Sequence, residues 1–140
     1  MIVIDTSVIY ALLDSNDQNH EFAAEWYLNT LPGLTTTPLI IAEVDHLAGA
    51  RAGVTAQQAF RTDLANNAYD VAWWPEATAE IVAIAERYGD LDVGLADASL
   101  VALAARTQTT AIATFDQRHF RAMRPEVGGD VFRLLPVDAG

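Results

Sequence analysis

The chain has 140 residues, which suits one domain able to bury roughly 70% of its unfolded surface around a single core. It contains no cysteine, which excludes disulfides and thiolate metal sites and fits a reducing cytoplasm. Its formal net charge is −11, and its only basic residues besides histidine are arginines; this excludes a nucleic-acid binder that works through a broad basic face, because phosphate attraction supplies most non-specific affinity.

No apolar run approaches the roughly 18 residues of a membrane span, so no membrane is expected. The N-terminus lacks a basic leader region and Asp5 interrupts its apolar stretch, so it reads as part of the fold with no leader. Ile2-Val3-Ile4 has the continuous aliphatic pattern of a strand buried on both faces, as at the centre of a parallel sheet. It ends at Asp5, Thr6 and Ser7, where an acid either caps the next helix or projects into a ligand site at the carboxyl end of the strand.

Residues 8–13 fit a short buried helix, followed by turn residues Asp14 to Asp17. Residues 20–31 form an amphipathic pattern with Phe22, Trp26, Ala23 and Tyr27 on one face, and His20 at its polar start reads as solvated. Residues 34–37 are β-prone, and Thr37-Pro38 starts a helix with an N-cap and a first-position proline. In that helix Leu39, Ile40, Val44 and Leu47 make the apolar stripe. Glu43 falls within it at about 100° per residue, whereas Asp45 points to solvent. An acid on an inward face is costly unless paired or metal-bound.

Residues 51–55 break the helix, and Thr55 caps another running to about residue 67. Residues 69–74 are a second β-prone run, whose Trp73-Trp74 pair reads as core and rim packing rather than a base-stacking platform. Residues 75–87 are helical. Gly94 then loosens a loop before a helix over residues 95–106, with Asp97 in its first turn at the head of a stripe of Val101, Ala104 and Ala105. Residues 109–115 are strand-like and end at Asp116, as the first strand ends at Asp5; residues 131–135 are the last strand.

Alternating strands and helices with right-handed crossovers predict one α/β domain over residues 1–140: a three-layer sandwich with a central parallel sheet and helices on both faces. That geometry gathers Asp5, Glu43, Asp97 and Asp116. Four carboxylates without a basic partner call for hard cations, and an oxygen-only donor set points to Mg²⁺, with Mn²⁺ as a substitute. Such a site activates water and stabilises charge on a phosphodiester. Two other readings are a non-catalytic module with a structural cation and a metal-dependent phosphatase. The latter would want an acid where Ser7 stands, and the lysine it ordinarily uses is absent.

Ile4-Asp5-Thr6-Ser7, Pro38 to Glu43, Asp97-Ala98-Ser99 and Thr114-Phe115-Asp116 resemble the four acidic motifs of PIN-domain ribonucleases. The segment from Gly94 to Val101 and the compact length are similar to VapC toxins of type II toxin–antitoxin modules. The resemblance implies a Mg²⁺-dependent endoribonuclease acting on structured RNA of the tRNA or rRNA class, a homodimer, and a cognate VapB-type antitoxin. It implies Asp5 and Asp97 as principal metal ligands, with Glu43 and Asp116 completing the site. Thr6, Ser7 and Thr114 would orient water or phosphate. Arg118, Arg121 and Arg124 would steer RNA, and Asp92 lies near the mouth. The Phe22, Trp26 and Tyr27 face and the Pro38 helix offer more apolar surface than one small sheet must cover, and so predict a groove for a partner chain.

Overall fold

A computed structural model describes residues 1–139. Five short strands, β1 (Ile2–Ile4), β2 (Leu34–Thr36), β3 (Asp70–Val71), β4 (Ala111–Ala113) and β5 (Arg133–Leu135), form one parallel sheet in the order β3-β2-β1-β4-β5. The aliphatic run of β1 is central because all three of its residues are buried. Val3 lies opposite Thr35 of β2 on one side and Ile112 of β4 on the other.

The chain moves outward from β1 to β3, then crosses to β4 on the far side of β1. This reversal puts a topological switch point between β1 and β4, where open α/β sheets bind ligands beyond their carboxyl ends. Asp5 follows β1 and Asp116 lies three residues beyond β4.

Seven helices connect the strands: α1 (Thr6–Leu13), α2 (His20–Leu28), α3 (Pro38–Leu47), α4 (Val54–Ala65), α5 (Ala77–Arg87), α6 (Leu95–Thr107) and α7 (Gln117–Ala122). Right-handed crossovers place α1 to α4 on one face of the sheet and α5 to α7 on the other, giving the expected three layers. The packing agrees: α1 lies against α2 and α3, and α5 lies against α6. In α6 every residue from Ala98 to Leu103 is buried, and Ala98, Ala102 and Ala104 allow close approach to the sheet. α5 is the amphipathic cover, burying Ala77, Ile81 and Ile84.

Several local expectations change. The Pro38 helix does not break at residue 51 but continues through a π-helical turn, Ala48–Ala52, closed by Gly53 N–H on the Ala48 carbonyl at 2.9 Å. The break falls at Gly53, at φ 102°, inside the expected stretch of residues 51–55; Gly53 directly precedes α4, so Thr55 is not its cap. His20 is half-buried, with Nδ1 2.6 Å from the Ala11 carbonyl oxygen, rather than solvated. Asp45 forms a two-bond pair with Arg61 at 2.8 and 2.9 Å. Trp74 is buried and Trp73 exposed, as core and rim packing require, although Arg106 stacks 5.3 Å above the Trp74 ring.

Candidate metal-binding active site

Asp5, Glu43, Asp97 and Asp116 line one cleft of about 390 Å³, with Thr6, Ser7, Tyr10, Arg51 and His119 among its other walls. Each acid arrives by a different route. Asp5 occupies the N-cap position of α1, but its carboxylate makes no capping bond, so capping does not explain it. Two hydroxyls instead hold one oxygen: Thr114 Oγ1 donates to Asp5 Oδ2 at 2.7 Å and Ser7 Oγ donates to the same atom at 3.1 Å. Each hydroxyl is itself fixed by a backbone donor, Phe115 N–H to Ser7 Oγ and Asp116 N–H to Thr114 Oγ1, both at 2.9 Å. The protons of Ser7 and Thr114 are thus engaged with Asp5. These residues orient a carboxylate, where the expectation was that they orient water or phosphate.

Burial raises the Asp5 pKa above its ordinary value, and the Thr114 and Ser7 bonds counter part of that rise. Asp97 is pushed up to about 7, first by burial and then by the charges of Asp5 and Asp116. The two helices carrying Glu43 and Asp97 are tied at their starts. Ser99 Oγ donates to the Ala96 carbonyl at 2.6 Å, and so accepts from Thr37 Oγ1 at 2.7 Å. Thr37 therefore holds the N-cap position of α3 without capping it through its side chain.

Glu43 is not on the inward stripe. The buried seam runs from Ile40 and Val44 of α3 to Ala48 of the π-helical turn, at four-residue spacing, and a residue about 100° from Val44 sits at the seam's edge. Its side chain is exposed and opens onto the cleft mouth, so no desolvation cost needs explaining.

An imidazole also stands among the acids, where an oxygen-only set was expected. His119, in the first turn of α7, brings Nδ1 to 2.9 Å from Asp116 Oδ2 and 3.3 Å from Asp97 Oδ2. Donor atoms of Asp97, Asp116 and His119 all lie within 4.8 Å of one another, a spacing that a metal ion spans. Sequence reading missed His119, although its position three residues after Asp116 on a short helix was the available signal. Thr6 Oγ1, in a residue lining the cleft, is buried and is the one such side-chain oxygen or nitrogen without a hydrogen-bond partner among the described residues. The hard carboxylates of Asp97 and Asp116, clustered with the His119 ring, fit a divalent cation.

The arginines fall elsewhere than expected. Arg118, Arg121 and Arg124 are absent from the cleft wall, and Arg121 forms a two-bond pair with Asp138 at 2.7 and 2.8 Å. The cation that does line the cleft is Arg51, carried by the π-helical turn after α3. Asp92 is exposed in a left-handed conformation and does not line the cleft; its neighbour Leu91 contributes a carbonyl to His119 instead.

The expected apolar groove lies between α2 and the edge strand β5. It measures about 570 Å³ and is lined by Phe22, Trp26, Leu31, Leu135 and Pro136 among others. Neither Tyr27 nor the Pro38 helix takes part in it. No helix of the described residues is long and apolar enough to cross a membrane.

Comparison with known proteins agrees with this fold. The model of the PIN domain family matches residues 2–124. Ribonuclease VapC26 of Mycobacterium tuberculosis (strain ATCC 25618 / H37Rv) is 38% identical over 136 residues, spanning 96% of this chain and 100% of the relative. Among solved structures, Mycobacterium tuberculosis VapC20, described as a sarcin-ricin loop cleaving toxin, aligns with a TM-score of 0.77 at 20% identity, covering 83% of this chain and 90% of that one. A toxin–antitoxin complex from Klebsiella pneumoniae aligns with a TM-score of 0.64 at 19% identity, covering 91% and 97%. At such identities the two structures speak for the fold alone.

Proposed function

The chain belongs to the PIN-domain family, and we propose that it is a divalent-metal-dependent endoribonuclease, the toxin of a cytoplasmic toxin–antitoxin pair, acting on structured RNA of the tRNA or rRNA class. The observation that carries this reading is the convergence of Asp5, Asp97 and Asp116 at the switch point, where burial first and then the charges of Asp5 and Asp116 push the Asp97 pKa to about 7. Such mutual repulsion is retained where a cation is to be bound.

Asp5, Asp97 and Asp116 would hold the ion, with Glu43 at the mouth adding negative charge. When bound, a divalent ion supplies Lewis acidity to a phosphodiester and to an attacking water. The chain's own residues prepare for this. Ser7 and Thr114 fix Asp5 through Oδ2. Asp116 Oδ1 accepts the His119 N–H at 3.1 Å, which fixes the orientation of the second acid. Arg51 places one positive charge beside an acidic cleft, where it contacts an RNA phosphate. This local charge matters because the net charge of −11 opposes RNA approach in bulk.

A VapB-type antitoxin and a second copy of the chain are the partners the family suggests. The α2–β5 groove supports a docking role, with Phe22 49% and Leu31 98% exposed.

The test is cleavage of total cellular RNA by the wild type and by Asp97→Asn, with Mg²⁺ and with chelator. Cleavage that needs both Asp97 and the metal supports the reading. Cleavage that survives either removal overturns it.

A further inference from the structure

The proposed metal site contains an imidazole whose two nitrogens have unequal surroundings. His119 Nε2 lies 3.1 Å from the Leu91 carbonyl oxygen, which only accepts hydrogen bonds, so Nε2 carries a proton. In the neutral ring Nδ1 is then an unprotonated lone pair. It faces Asp116 Oδ2 at 2.9 Å and Asp97 Oδ2 at 3.3 Å, and ionised carboxylate oxygens also only accept. Three such atoms facing a common region are brought together either by a proton on the ring or by a metal ion.

The supporting contacts fit a metal ion. A metal-binding histidine ordinarily donates its other N–H to a carbonyl or carboxylate, which fixes both tautomer and ring orientation. Leu91, at the end of the 3₁₀ turn Gly89–Leu91, provides that acceptor from outside the cluster. Asp116 Oδ1 is committed to the His119 backbone N–H at 3.1 Å, leaving Oδ2 as the oxygen directed at the ring. Asp116 and His119 are thus a pre-arranged chelating pair on the first turn of α7, facing Asp97 from α6.

We propose that His119 Nδ1 is a metal ligand alongside Asp97 and Asp116, and that this nitrogen biases the site toward Mn²⁺ over Mg²⁺. The inference rests on the metal-dependent reading above and specifies its ion. Mg²⁺ demands oxygen donors and parts reluctantly with its waters, whereas imidazole suits first-row transition ions. A different role for the same ring is that of an internal cation: a protonated His119 would neutralise Asp97 and Asp116 and compete with a metal. The two roles predict opposite signs when the ring is removed.

The experiment uses metal-free full-length chain. Mn²⁺ and Mg²⁺ are titrated by calorimetry into the wild type, His119→Ala, His119→Gln and Asp97→Asn, with circular dichroism confirming that each variant is folded. Bound Mn²⁺ in the wild type is examined by pulsed electron paramagnetic resonance for a directly coordinated ¹⁴N, a readout that requires no variant to fold. We expect a nitrogen coupling in the wild type and its loss in both His119 variants. Mn²⁺ affinity should fall about tenfold in His119→Ala, with a smaller change for Mg²⁺. Asp97-dependent Mn²⁺ binding without nitrogen coupling, or tighter Mn²⁺ binding in His119→Ala, overturns the ligand role while leaving the metal-dependent reading in place. No Mn²⁺ or Mg²⁺ binding to the wild type at all overturns both.

Discussion

Replacing Asp97 by Asn should stabilise the metal-free fold, and the gain should depend on pH with a definite sign. Asp97 is held at about 7 against an ordinary 3.8, so between these values the folded chain binds the proton more tightly than the unfolded chain. Where the folded state binds more protons, stability falls as pH rises. The penalty is therefore absent below about pH 4, grows through pH 5 and 6, and levels off above about pH 7. A displacement of that size corresponds to a ceiling of about 4 kcal/mol at neutral pH. The Asp97 side chain is 21% exposed, and screening by water brings the expected figure to about 2 kcal/mol. Asn removes the charge at nearly constant size. Urea unfolding in chelator at pH 4.5, 6 and 7.5 should show Asp97→Asn gaining stability relative to wild type across the series. Added Mg²⁺ or Mn²⁺ should then raise the wild-type melting temperature and leave the variant nearly unchanged, because a ligand stabilises only the state that binds it. A stability difference that is flat with pH, or a variant less stable at pH 7.5, would refute the electrostatic reasoning.

Four further outcomes follow from particular contacts. Thr114→Val removes the donor to Asp5 and strands the Asp116 N–H, so urea unfolding should show a loss of about 1–3 kcal/mol, and RNA cleavage should fall as Asp5 loses its orientation. Arg51→Ala, in an Asp97→Asn background that binds without cutting, should weaken RNA binding and flatten its salt dependence by up to about one unit. Arg121→Ala breaks an exposed pair with Asp138, so it should cost at most about 1 kcal/mol in unfolding and leave the cleavage rate unchanged. Leu31→Asp puts a charge into the α2–β5 groove and should shift light scattering toward monomer or abolish antitoxin capture, with the melting temperature preserved because Leu31 is 98% exposed.

The sheet and the positions of the acids are legible in the amino-acid pattern alone. A run such as Ile2-Val3-Ile4 is buried on both faces only in the middle of a parallel sheet, and Asp5, directly after its strand, and Asp116, three residues beyond its own, lead to the switch point. These are local patterns, legible because alternation and strand ends are written within a few residues. What the tertiary structure decided was every property that depends on residues far apart in the chain. The hydroxyls of Ser7 and Thr114 carry no mark of being engaged with Asp5, because one of those bonds spans 109 positions. An ideal periodicity turns Glu43 inward, but the seam of its helix follows four-residue spacing into a π-helical turn and leaves Glu43 at the edge. That same turn delivers Arg51 to the cleft, whereas the arginine run after Asp116 lies off its wall, with Arg121 bound to Asp138. The local sequence alone does not place His119 in the site, because Leu91, 28 residues earlier, holds its far nitrogen and aims the near one at two acids. A side chain's chemical role is set by what lies within about 3 Å of it, and only folding brings those atoms together.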